Sequence, residues 1–317
     1  CFIKISSLLI LYKLKFQIYM KIYDCFMFFD EEMLLDLRLN VMNRYVDKFV
    51  ITEATYMHNG KPKKLNFNIK KFEKFKDKII YIVVDKEPPD LFKFKESDKN
   101  KNDRWGQKLV LNGYKRDNYQ REMAMTALKN ISPDDWIIIN DIDEIPNLNK
   151  IDFNKLENKL VLFNQQIFYY KFNLVYPNVS WFGSKACKKK NFLSPQWLRN
   201  VKDKKYPWWR LDTNFSKKKY NNISFVNNGG WHFTNIKSPA DIEKKLLNYT
   251  HHYEYEQSGL KIEDLRQKIT EKKIIYDHDV DQRDSKWHSE KTLKKIDNED
   301  LPDYLKKNLE KYSDWLD

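Results

Sequence analysis

The chain has 317 residues, 41% hydrophobic and 15% aromatic, which is enough apolar material for a sizeable core in one large α/β domain or two small ones. Its formal charge is +13, but the excess is nearly all Lys, it is spread along the chain, and no zinc spacing, RNA-binding aromatic motif or helix-turn-helix pattern accompanies it, which argues against nucleic acid as a partner. Three cysteines, Cys1, Cys25 and Cys187, exclude a disulfide framework and a C-x-x-C metal pair, and fit a reducing compartment.

Residues 1–19 hold one short apolar run, 8–12, flanked by Lys4, Lys13 and Lys15, too short and too charged to span a bilayer unaided. Met20 opens a more fluent stretch, so residues 1–19 are expected to be an extension that contributes neither core nor site. Strands are then predicted at 22–28, 48–52 and 79–84, with an amphipathic helix over 31–45. Residues 86–103, polar and carrying Pro88-Pro89, read as a loop or mobile flap. A helix over 117–129 and the turn Ser132-Pro133-Asp134-Asp135 lead into Trp136-Ile137-Ile138-Ile139-Asn140, an apolar run with the signature of a fully buried central strand. This alternation predicts an α/β fold.

Downstream the character changes. Strands are predicted at 160–163 and 167–172, followed by aromatic-rich loops carrying Trp181, Trp197, Trp208 and Trp209, which suit an acceptor-binding face and ordinary core packing about equally. Helices are predicted over 239–253 and 261–272, and the charged tail beyond 277 is expected to be peripheral. No repeat and no convincing linker divides the chain, so a single domain over 20–280 with a tail at 281–317 is expected.

The chemistry concentrates where the central strand runs into Asp141-Ile142-Asp143-Glu144-Ile145-Pro146. Ligands of open α/β sheets bind beyond the carboxyl ends of strands, and two carboxylates spaced i, i+2 there can turn toward one hard divalent cation shared with phosphate oxygens. An acidic turn that merely caps a strand would look the same. His232, one of six histidines, stands between Trp231 and Phe233 after Gly229-Gly230. Neutral imidazole is a competent ligand for Mn²⁺, although a core histidine beside aromatics is the commoner outcome. The two glycines suit close approach of a pyrophosphate and equally a plain hairpin turn.

Six ordered segments carry a resemblance: Ile22-Tyr23-Asp24-Cys25-Phe26, Val46-Asp47-Lys48-Phe49-Val50-Ile51-Thr52-Glu53, Gly60-Lys61-Pro62, Tyr119-Gln120-Arg121, Asp141-Ile142-Asp143-Glu144-Ile145-Pro146 and Gly230-Trp231-His232. Together, over about residues 20–280, the chain resembles glycosyltransferase family 17, which includes N-acetylglucosaminyltransferases. The resemblance implies a GT-A-like fold, a Rossmann-type nucleotide-sugar-binding sheet flanked by helices, with a UDP-sugar donor, Mn²⁺ or Mg²⁺ dependence and an inverting mechanism. Carried over residue by residue, Asp141 and Asp143 match the family's D-x-D and His232 its Gly-Trp-His histidine, so these three are the expected metal ligands. Glu53, Arg121 and Asp141 are expected around the nucleoside and diphosphate.

The partners implied are a nucleotide sugar and a glycan or glycoprotein acceptor. The chain departs from eukaryotic members in lacking a clear membrane anchor and luminal cysteines, so a cytoplasmic or loosely membrane-associated location is expected rather than the Golgi. The resemblance leaves the base open, and the residues flanking the Gly-Trp-His block offer Asp212, His251, His252 and Glu254 for it. Two rival readings use the same features: a metal-dependent phosphoester or glycoside hydrolase, and a carbohydrate-binding or basic scaffolding protein.

Overall fold

The computed structural model describes residues 20–93, 104–204, 206–207, 209–210, 212–216, 219, 222–277 and 286–317; the expectations for residues 1–19, for 94–103 and for Trp208 lie outside these. The first half follows the apolar runs. Strand β1 (Ile22–Met27), helix α1 (Glu32–Met42), β2 (Lys48–Ala54) and β3 (Ile79–Val84) are joined by α2 (Arg104–Glu122) and α3 (Met125–Leu128) to β4 (Trp136–Ile139), every residue of which is buried. Helix α2 begins well upstream of the expected residue 117. Its early turns carry Gly106 and Gly113 and bunch Leu109-Val110-Leu111 together instead of spacing them three and four apart, so periodicity gives little notice of them.

The second half supplies β5 (Glu144–Pro146), β6 (Leu160–Phe163), β7 (Gln165–Tyr169), β8 (Leu174–Trp181), β9 (Lys185–Lys188), α4 (Pro195–Arg199), α5 (Asp212–Phe215), β10 (Ile223–Val226) and β11 (Gly230–Thr234). Helices α6 (Pro239–Asn248), α7 (His252–Ser258) and α8 (Ile262–Thr270) follow, then β12 (Lys294–Lys295) and α9 (Asp303–Lys306). Two mixed sheets result, in the orders β10-β6-β9-β4-β1-β2-β3 and β12-β8-β7-β11-β5. In the first, β3, β2, β1 and β4 run parallel, and β9 is antiparallel to both β4 and β6. The chain is therefore a mixed α/β protein with helices flanking two mixed sheets.

Two loop readings of this half are corrected: the stretch around Trp181 is a strand, and Trp197 lies on helix α4. Gly230 to Thr234, for which no element is predicted, is a strand buried along its length between β5 and β7. Gly230 adopts φ +137°, and a Cβ there would stand 2.2 Å from the Ile145 carbonyl oxygen, so only glycine lets β11 enter beside β5.

The tail, expected to be peripheral, is also corrected. Leu301, Leu305 and Tyr312 are buried in the same cluster as Phe26, Leu37 and Trp136, and α9 packs on α1. Among the described residues of that segment most charged side chains are exposed, while Trp287, Leu293, Leu301, Leu305 and Tyr312 are buried. Among the described residues no helix is long and apolar enough to cross a membrane.

Candidate active site

The Asp141-Ile142-Asp143 loop leaves the carboxyl end of β4 and enters β5, so it passes from one sheet to the other. A buried ion pair holds it from below. Arg38, on the apolar face of α1 and fully buried, donates from Nε and Nη2 to Asp24 of β1 at 2.8 and 2.6 Å. Its Nη1 reaches the carbonyl oxygens of Asp141 (3.3 Å), Ile142 (3.3 Å) and Glu144 (2.6 Å), and Asn140 donates to the same Asp24 at 2.6 Å. One guanidinium thus fixes three carbonyls of the acidic loop, which would otherwise be poorly satisfied at this depth.

Pairing of β11 with β5 sets His232 beside Asp143. His232 is opposite Glu144 in the ladder, and the Phe233 amide donates to the Asp143 carbonyl at 2.8 Å. His232 Nε2 lies 3.7 Å from Asp143 Oδ1, Lys245 Nζ of α6 lies 3.6 Å from Oδ2, and the Trp181 ring stacks on the imidazole. Burial pushes the Asp143 carboxyl up, but His232 and then Lys245 outweigh it and hold the group well below the usual carboxylate range.

Asp141 faces the other way. Its Oδ1 accepts from Arg121 Nη2 at 3.1 Å and its Oδ2 from Arg199 Nη2 at 2.6 Å. Burial again opposes ionisation, and Arg199 followed by Arg121 keeps the carboxyl low. Arg199 also bridges to fully buried Glu144, whose Oε2 accepts from the Asp141 amide at 2.8 Å and whose Oε1 accepts from Trp181 Nε1 at 2.7 Å. Lys185 donates to the Arg199 and Val201 carbonyls at 2.5 and 2.6 Å and so closes the end of α4; burial, reinforced by Arg199, pulls its ammonium down to about 8.

Asp141, Asp143, Trp181 and His232 line a cavity of about 680 Å³ with Arg121, Arg199, Lys245 and Lys63 among its cations and His58, Asp117, Tyr114 and His251 further along. The structure brings Asp141, Asp143, Arg121 and His232 to the wall of this cavity, but among the described residues Asp141, Asp143 and His232 are not gathered as three ligands of one ion, because Asp141 is turned to Arg121 and Arg199. Glu53 is not on its wall: fully buried, it pins residues 63–67 by accepting from Lys63 Nζ and the Asn66 and Phe67 amides, and it also accepts from the Tyr81 hydroxyl. Asp212 is exposed and paired with Arg210 and Lys219, away from the cavity. His251 lines the cavity with Glu254 behind it, whereas buried His252 contacts the Tyr249 carbonyl.

Sequence reasoning missed Arg38, Glu144, Arg199 and Lys245. Only Arg38 left a signal, a lone Arg among the buried leucines of Leu34-Leu35-Asp36-Leu37-Arg38-Leu39. A cation on the apolar stripe of a helix demands a buried anion.

The family profile of glycosyltransferase family 17 matches residues 12–316. The chain is 31% identical over 127 residues to the β-1,4-mannosyl-glycoprotein 4-β-N-acetylglucosaminyltransferases of Homo sapiens and Rattus norvegicus, and 30% to that of Mus musculus. That stretch is 39% of this chain and 21% of the relatives, so the match spans about a fifth of their length. Among solved structures, HddC from Yersinia pseudotuberculosis complexed with GMP-PN aligns over 66% of this chain and 90% of its own, at 11% identity and a TM-score of 0.29.

Proposed function

Proceeding from the chain's membership of glycosyltransferase family 17, to which it belongs over nearly its whole length, we propose that it moves N-acetylglucosamine or a related hexosamine from a UDP-sugar to a carbohydrate acceptor by a metal-dependent, inverting mechanism. Membership makes it a glycosyltransferase; donor, metal and stereochemistry are our reading. A GT-A-like arrangement is part of it, with the parallel strands β3-β2-β1-β4, antiparallel β9, and the acids at the carboxyl end of β4.

One observation carries the proposal. Asp143 and His232 stand 3.7 Å apart on the wall of a cavity that also presents Arg121, Arg199 and Lys245. Two ligands of one ion with bonds of roughly 2.1 Å are between about 3 and 4 Å apart, so an oxygen and a nitrogen at this spacing fit Mn²⁺ or Mg²⁺. No set of three His, Cys, Asp or Glu side chains is gathered for an ion among the described residues, which suits a cation whose remaining ligands are donor phosphates and water. Bound there, the ion would neutralise charge on the departing diphosphate.

The protein's own part is electrostatic. Arg121 and Arg199, already aimed at a carboxylate, are placed to hold phosphate oxygens, and Lys245 adds a third cation beside Asp143. Asp141 keeps the two guanidiniums in place and limits their mutual repulsion. Titrating UDP into the protein with and without Mn²⁺, followed calorimetrically, tests the reading: binding that requires the metal is expected, and metal-independent binding or none would overturn it. Product analysis separates transfer from hydrolysis, since a hydrolase releases free sugar even with acceptor in excess.

A further inference from the structure

We propose that Tyr114, His251 and Glu254 form the proton-accepting array of this reaction, the Tyr114 hydroxyl taking the acceptor's proton as it passes its own to His251. The proposal rests on the transferase reading above. An inverting displacement needs a group that receives the acceptor hydroxyl's proton on the face away from the leaving diphosphate. The acids nearest the proposed metal are committed, Asp141 to two arginines and Asp143 to His232 and Lys245.

At the other end of the cavity, His251 Nε2 lies 3.0 Å from the Tyr114 hydroxyl, and both residues line the wall. Glu254 Oε1 lies 2.9 Å from His251 Nδ1, a close ion-pair contact made off the ring N–H axis. The Tyr249 and Tyr276 rings flank the imidazole at 5.5 and 6.1 Å, and Tyr114 meets it edge-on at 5.4 Å.

Separation along the cavity follows from α2. Tyr114, Asp117 and Arg121 all face the cavity from this helix, and Arg121 grips Asp141. Seven residues of helix between Tyr114 and Arg121 advance roughly 10 Å. The array is therefore displaced from the acidic loop by the order of length that a phosphate and one sugar ring occupy. The other groups that flank the Gly-Trp-His block do not reach this position: Asp212 is outside the cavity, and His252 is on the Tyr249 carbonyl.

In the step, the acceptor oxygen attacks the anomeric carbon, the bond from that carbon to the phosphate oxygen breaks, and its electron pair leaves with the diphosphate. The acceptor's proton moves to the Tyr114 oxygen while Tyr114's proton moves to His251 Nε2. Nδ1 keeps its proton throughout, so the array requires the Nδ1–H tautomer. Glu254 faces the imidazolium that forms and acts as a positioning residue.

The test measures UDP release with Mn²⁺ from UDP-N-acetylglucosamine and a panel of other UDP-hexoses, using water and a simple mannoside as acceptors, beside calorimetric UDP affinity. Tyr114→Phe and His251→Asn should each lower kcat about 10²–10⁴-fold while UDP affinity stays within about twofold. Glu254→Gln should cost roughly tenfold in kcat at unchanged KM and UDP affinity, and Glu254→Asp should restore part of the loss. A merely structural Glu254 would move KM and UDP affinity together with kcat and show no rescue by Asp. Wild-type kcat in Tyr114→Phe overturns the relay, and parallel loss of UDP affinity and kcat in both variants makes them binding residues and overturns it too. A wild-type protein that neither binds UDP nor releases it from any donor removes the transferase reading itself, and the array with it.

Discussion

The two walls of the cavity are held by different physics. Its floor, the acidic loop, rests on Asp24, Arg38 and Glu144, all fully buried, and on Arg199. Its roof, the α6–α7 segment, is tied across the cleft by contacts with exposed members. Lys244 reaches Asp30 at 3.2 Å, Asn59 reaches the Leu247 carbonyl at 3.0 Å and Asn248 at 2.9 Å, and Thr250 meets His58 at 3.2 Å. Losing one partner of a buried pair strands a charge at a cost of about 3–5 kcal/mol, whereas an exposed pair is worth roughly 0–1 kcal/mol. The acids are thus held in a preset geometry, whereas the polar ties across the cleft are inexpensive to break, and α6 and α7 stay seated through Ile242, Leu246 and Tyr255, buried in one cluster with Ile167 and Leu265.

The comparison breaks first at Arg38. Arg38→Met should lower the unfolding free energy by about 3–5 kcal/mol, because Asp24 is left charged and buried and three loop carbonyls lose their donor. Urea unfolding at neutral pH measures it, and a loss below about 1 kcal/mol would mean the floor is not held as described. Asp143→Ala should show the opposite balance, costing about 10²–10³ in turnover, near 3–4 kcal/mol, against a stability loss of only about 1–2 kcal/mol from its contacts with His232 and the partly exposed Lys245. Near-wild-type turnover with Mn²⁺ present would remove Asp143 from the metal site.

Smaller again is His232→Ala. As a ligand, His232 should raise the Mn²⁺ concentration needed for half-maximal turnover by at least about tenfold when removed, with partial rescue by excess metal. Its stacking on Trp181 predicts a modest stability loss besides. Lost turnover at unchanged metal affinity would instead give His232 a role in proton transfer.

How much of this was legible divides along the same line. Strands β1, β2 and β4, buried almost throughout, and the apolar edge strand β3 are read from sequence as short apolar-rich runs, and Asp141 and Asp143 follow from where β4 ends. The second sheet is not readable in that way. Strand β11 owes its burial to β7 and β5, whose paired residues lie 65 and 84 to 88 positions earlier, and nothing local separates Gly-Gly-Trp-His-Phe from a turn. Residues 174–181 are interrupted by Pro177 and alternate only over their outer half. The site was legible at the two acids, His232 and Arg121, and opaque at Arg199 and Lys245, because a cation's partner is a tertiary fact. Glu53 shows the converse: a strand-end acid identical in sequence terms to a ligand-binding one serves as a hub for backbone amides.

The smallest predicted effect is the most direct probe of the roof. Asp30, just past β1, accepts from Lys237 and Lys244, and Lys237 also approaches Glu31 at 3.4 Å. Lys237 is largely buried and Lys244 half exposed, so the cluster falls between the surface and buried regimes, and Asp30→Asn should cost about 1–2 kcal/mol. Burial raises the Asp30 carboxyl, but Lys237 in the first place and Lys244 after it bring it below its ordinary value. A carboxyl held low in the folded state contributes stability that is fully present above the unfolded value, near 4, and is lost as pH falls through the folded one. The wild-type and Asp30→Asn proteins should therefore differ in unfolding free energy at pH 7 and converge as pH falls below the ordinary carboxylate range. Lys244→Ala alone should shift stability by less than about 0.5 kcal/mol and lose even that at high salt. An Asp30→Asn penalty as large as that of Arg38→Met would show that the polar ties across the cleft hold as strongly as the buried pair under the acidic loop.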